Sequence, residues 1–122
     1  MSAPPADDTS RAPLTVSREE RDGRVVFGLV GDIDLETSRR LRTDLLEGLP
    51  SGNEDVVVDM TRVDFMDSSG LAALVGAWKV VRDAGSFRVA GANSVVKRVL
   101  TITGMEDVFD IHPDLESALR SS

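Results

Sequence analysis

The chain has 122 residues, 21 acidic and 14 basic, giving a formal charge of −7, and it contains neither Cys nor Tyr. One domain accounts for that length. The missing Cys removes disulfides, thiolate catalysis and thiolate metal sites, and the acidic balance argues against nucleic acid, whose phosphates require clustered Lys and Arg.

An acidic surface suits a basic protein partner, although solubility alone accounts for it equally. Trp78 and four Phe are the only aromatics, too few for a base-stacking platform. No apolar run approaches the roughly 18 residues of a membrane span. The first eight residues have neither the basic nor the apolar region of a signal peptide, so a cytoplasmic, membrane-free protein is expected.

Residues 1–12, rich in Pro, Ala and Asp, predict a mobile tail, and 13–122 a single domain. A short strand is expected over 14–17 and a β-rich strand over 24–31, with Asp22-Gly23 favouring a tight antiparallel hairpin. Asp34 should cap a first helix with Glu36 in its first turn and Leu41, Leu45, Leu46 and Leu49 as its apolar stripe; 48–52 should end it. A Val-rich strand over 55–60 reads as covered on both faces.

After a short loop, a second helix is expected over 68–83, with Leu71, Leu74, Val75 and Trp78 at i, i+3, i+4, i+7. A fourth strand over 87–90 follows. Asn93 or Ser94 then caps a helix striped by Val95, Val96, Val99 and Leu100 and stopped by Gly104. A short fifth strand over 108–111 precedes a last helix with Pro113 at its first position and Leu115, Ala118 and Leu119 facing inward. The order ββαβαβαβα predicts an α/β fold: a mostly parallel sheet of four or five strands, one N-terminal antiparallel strand and about four helices.

The chemistry concentrates in Asp67-Ser68-Ser69-Gly70, where a strand and loop lead into a helix. A hydroxyl there lies at the positive end of the helix dipole and tolerates a phosphate. Ser68 therefore reads either as a helix cap or as a phosphoacceptor, and Ser69 as a second N-terminal hydroxyl. Asp67 reads as a cap or as a shaper of the acceptor loop. Gly70 reads as a place where a side chain would crowd the sheet or a partner. Ala72, Ala73, Gly76 and Ala77 form a small-residue face that either packs closely or leaves a shallow surface for a partner. The helix-propensity penalty of Gly76, about 1 kcal/mol, suggests a packing reason for it.

Val57-Val58-Asp59-Met60 followed by Phe65-Met66-Asp67-Ser68-Ser69-Gly70-Leu71 resembles the signature of STAS domains, specifically the bacterial anti-sigma factor antagonists. Gly31-Asp32-Ile33-Asp34 is similar to the family's turn before the first helix, and Val96-Lys97-Arg98-Val99-Leu100 with Gly104-Met105 to its third helix and exit. The resemblance implies that Ser68 is phosphorylated by a partner that is both serine kinase and anti-sigma factor, with Ser69 the fallback acceptor. It implies that the unphosphorylated protein binds that partner and frees a sigma factor, and that a PPM-type serine phosphatase reverses the modification. The partner-binding set expected on this reading is Asp34, Asp67, Ser68, Ser69, Gly70, Ala72, Ala73 and Gly76.

Catalysis is not expected: the sole His, His112, precedes the last helix, and there is no nucleophile elbow, P-loop or dinucleotide fingerprint. No metal-ligand spacing or cofactor motif is present. The alternative function is a small-ligand or nucleotide-binding, or scaffold, module of the same fold in another signalling or transport complex. A monomer is expected, because no exposed apolar stripe stands out.

Overall fold

A computed structural model describes residues 13–50 and 55–120, so the expected tail at 1–12 and part of the turn after the first helix lie outside the described residues. Five strands form one sheet in the order β1-β2-β3-β4-β5: β1 (Thr15–Arg21), β2 (Arg24–Ile33), β3 (Asp55–Met66), β4 (Phe87–Ala90) and β5 (Asp110–His112). β1 runs antiparallel to β2, and every later pair is parallel. The helices are α1 (Leu35–Gly48), α2 (Ser68–Val81), α3 (Ser94–Ile102) and α4 (Leu115–Arg120).

Because the strands add in one direction, the three crossover helices share one face. Leu41 and Leu45 of α1, Leu71 and Leu74 of α2, and Val96 and Leu100 of α3 pack with Val25, Phe27, Leu29, Val56, Val58 and Met60 in one core. The alternate residues Val26, Val57 and Ala90 meet Ala118, Leu115 and Leu119 of α4 on the opposite face. Two-sided burial of β3 thus explains its Val run. Leu46 and Val95, both expected on buried stripes, are exposed instead, because each sits at the edge of its helix's apolar arc.

Arg88 is 4% exposed on the α4 face, where its guanidinium pairs with Asp110 at 3.2 Å and donates to the Ala118 carbonyl at 3.1 Å. Arg24 likewise joins Asp55, at 3.6 Å, to the Leu119 carbonyl. Cations thus meet the carbonyl end of α4, where the helix dipole favours them.

Four local features depart from the sequence expectations. β1 continues to Arg21 rather than stopping at Ser17, since a solvent-facing edge strand accepts charged side chains. Its turn is the expected Asp22-Gly23 pair, with φ values of 55° and 79°. β3 runs on to Met66 where a loop was expected, because Val63 and Met66 are buried and pair with Gly31 and Ile33 across two register shifts. Before α4, Asp114 rather than Pro113 occupies the capping role, accepting the Ser117 N–H at 2.8 Å. The last strand lies at Asp110–His112, displaced by a 3-10 turn at Met105–Asp107 that follows Gly104 (φ 77°).

Candidate functional site

The ends of β2 and β3 deliver α1 and α2 side by side. Asp34 is the N-cap of α1, and its carboxylate accepts the Glu36 and Thr37 N–H groups, each at 3.0 Å. Thr37 reciprocates by accepting the Asp34 N–H at 2.9 Å, completing a capping box. One turn of sheet away, the Asp67 N–H donates to the Ile33 carbonyl at 3.1 Å, fixing the entry of α2 to the end of β2.

Asp67, and not Ser68, caps α2: its carboxylate accepts the N–H groups of Ser69 (2.9 Å) and Gly70 (3.3 Å). The Ser69 hydroxyl also donates to Asp67. Ser68 is left as the first helical residue, exposed, with no hydrogen-bond partner for its hydroxyl among the described residues. The two serines therefore differ: one hydroxyl is tied into the cap, and the other faces solvent.

Gly70 is buried where a Cβ would stand 2.5 Å from Ile33 Cγ2 and 2.6 Å from Met66 Cγ, so the crowding that excludes a side chain comes from the sheet. Ala73 and Ala77 pack into the core, whereas Ala72 is exposed. Gly76 has no atom within 4 Å of a would-be Cβ, and the packing reason expected for it is absent. The small-residue face is thus split between core and surface.

Two adjoining clefts follow the α1–α2 junction. One of about 480 Å³ is lined by Asp34, Leu35, Glu36, Arg39 and Asp67; the other, about 190 Å³, by Ser38, Arg39, Arg42, Ser69, Ala72 and Ala73. Asp34, Asp67, Ser69, Ala72 and Ala73 of the expected set therefore converge there. Leu35, Glu36, Arg39 and Arg42 were not singled out from the sequence. The legible signal was their spacing from the Asp34 cap, which places 35, 39 and 42 along one helix face.

The site holds a hydroxyl but no base to activate it. His112 lies on β5, the far edge of the sheet from β2. Among the described residues no cluster of three or more His, Cys, Asp or Glu could hold a metal ion, and no helix is long and apolar enough to cross a membrane. An exposed Ser at a helix start can accept a group supplied by another protein.

Residues 15–118 match the family model of the STAS domain. The chain is 32% identical over 102 residues to the anti-sigma-B factor antagonist of Listeria monocytogenes, covering 80% of this chain and 88% of that protein. It is 29% identical over 108 residues to the anti-sigma F factor antagonist of Paenibacillus polymyxa, covering 87% and 92%. A crystal structure of an anti-sigma factor antagonist from Mycobacterium paratuberculosis superposes with a TM-score of 0.80 at 27% identity, covering 88% of this chain and 92% of that one. The unphosphorylated form of SpoIIAA shares the fold, with a TM-score of 0.69 at 21% identity over 86% and 93% of the two chains.

Proposed function

The chain belongs to the STAS domain family, and we propose that it acts as an anti-sigma factor antagonist switched by phosphorylation of Ser68. In its unphosphorylated form it binds an anti-sigma factor that is also a serine kinase, releasing a sigma factor for transcription. A PPM-type phosphatase restores the binding form. The domain works as a cytoplasmic monomer and is not itself an enzyme. Names given to the relatives in Listeria and Paenibacillus support the antagonist role.

The observation that carries the acceptor assignment is the difference between adjacent hydroxyls. Ser69 donates to Asp67, whereas Ser68 is exposed and unengaged among the described residues. Asp67 also occupies the N–H groups of Ser69 and Gly70, which would otherwise hold an anion. A phosphate on Ser68 is therefore not drawn into the helix terminus. It stands at the surface beside a carboxylate, adding about −1.5 to −2 charges where a partner must approach. A 100-fold loss of binding requires only about 2.7 kcal/mol, within reach of one dianion set against a fitted surface.

The test is phosphate incorporation from ATP by the kinase that a Ser68→Ala bait retains from native lysate. Ser68→Ala should take up none and Ser69→Ala should be labelled like the unmodified chain. Full labelling of Ser68→Ala overturns the assignment.

A further inference from the structure

We infer that the α1–α2 groove receives a helical segment of the anti-sigma factor carrying two carboxylates one turn apart, held by Arg39 and Arg42. This rests on the functional reading above and specifies the chemistry of the partner surface it requires. Leu35, Arg39 and Arg42 stand at i, i+4 and i+7 of α1 and so share one face. Leu35 is 67% exposed at the mouth beside Asp34 and Asp67, and Arg39 lines both clefts. Arg42 lines the inner cleft opposite Ser69, Ala72 and Ala73, whose small side chains leave it width.

The two guanidiniums are exposed, and among the described residues neither has a hydrogen bond or ion pair. That is unusual here. Acids outnumber bases 21 to 14, and Arg18, Arg21, Arg24, Arg40, Arg88 and Arg120 each reach a carboxylate. The carboxylates nearest the pair, Asp34 and Asp67, are engaged as helix caps. An acidic chain thus presents a local cationic pair beside its candidate phosphoacceptor.

Residues at i and i+3 have Cβ atoms about 5–6 Å apart, which matches two Glu or Asp side chains on successive turns of a facing helix. Guanidinium–carboxylate pairing supplies directional, charge-assisted hydrogen bonds, while an apolar side chain on the same segment covers Leu35. Charge complementarity selects an acidic segment even though the chain as a whole suits basic partners. The same geometry accounts for switching: Ser68 is i−4 to Ala72 on α2, so its phosphate sits by the entrance that the partner's carboxylates must pass.

The experiment is a calorimetric titration of the purified kinase retained by the Ser68→Ala bait against four forms: unmodified, Arg39→Gln, Arg39→Glu/Arg42→Glu, and Arg98→Glu on α3 as a control of equal sign. All four should give the same backbone amide pattern away from the changed positions, since these side chains are exposed. The double reversal should lose about 100-fold in affinity or more, and Arg39→Gln should lie between it and the unmodified chain. Arg98→Glu should stay within about twofold. Reversing the partner's paired acids to Lys should restore binding to the double variant. Equal binding by the double variant, or an equal loss in Arg98→Glu, overturns the groove assignment while leaving the antagonist reading standing. An unmodified chain that binds no anti-sigma factor overturns both.

Discussion

Two glycines on α2, six residues apart, should respond to the same substitution with opposite signs. An Ala Cβ at Gly70 would lie 2.5 and 2.6 Å from Ile33 Cγ2 and Met66 Cγ, and 3.2 Å from Ile33 Cβ. Carbon atoms pack best at about 3.5–4.0 Å, so α2 or the ends of β2 and β3 must move by about 1 Å. Overpacking of that kind costs about 1–3 kcal/mol, offset in part by the better helix propensity of Ala, and a net loss of about 1–2 kcal/mol is expected. At Gly76 a Cβ meets nothing within 4 Å. Gly76→Ala should therefore stabilise the fold by about 0.5–1 kcal/mol through the backbone entropy of the unfolded chain and helix propensity. Urea unfolding followed by circular dichroism would place the two midpoints on opposite sides of the unmodified protein's, about 1 M apart for a domain of this size. Equal midpoints, or a Gly70→Ala protein as stable as the unmodified one, would refute the claim that the Ser68 helix is seated on Ile33 and Met66. Binding gives Gly76→Ala a second use. If the exposed part of that face contacts the partner, the variant should bind more weakly although its fold is firmer.

The remaining predictions concern caps and charge. Asp34→Ala and Asp67→Ala should each cost about 1 kcal/mol in urea unfolding, as loss of an N-cap does, and additivity is expected only if the two helix starts do not share partners across the cleft. In Asp67→Ala the Ser69 hydroxyl is released, so kinase labelling of Ser69, read by mass spectrometry, should rise above its level in the unmodified chain. Asp55 is pushed up by burial, but hydrogen bonding from Ser86 and the charges of Arg88 and Arg24 outweigh this and hold its carboxyl below the ordinary value. Its contribution is therefore fully present above an unfolded pKa of about 3.9 and is lost as pH falls through the lower folded value. Asp55→Asn should be less stable than the unmodified protein at neutral pH, and the gap should close below about pH 4. A gap that widens in acid would reverse the sign assigned to Asp55.

The elements that were legible in the sequence are those whose pattern and punctuation agree. Asp34 before Leu35, Asp22-Gly23 between two strands and the Val run of β3 each state one conformation. The extension of β3 to Met66 was not legible, because Thr61, Arg62 and Asp64 interrupt the alternation, and only pairing with the irregular end of β2 makes strand the better solution. The cap of α2 was ambiguous for a similar reason. Asp67, Ser68 and Ser69 all have capping side chains, and the hydrogen bond from Asp67 to the Ile33 carbonyl, a tertiary contact, decides which one precedes the helix. Arg39 and Arg42 passed unnoticed because exposed arginines on an amphipathic helix are ordinary; it is the absence of a carboxylate partner, visible only in three dimensions, that distinguishes them.

The most direct measurement compares one purified chain in two states, Ser68 free and Ser68 phosphorylated, binding the same anti-sigma factor kinase at equal ionic strength. The free form should bind at least about 100-fold more tightly, with an unchanged fold by amide NMR in both states. Matching affinities in the two states would contradict the account at its centre, whatever the site of modification proved to be.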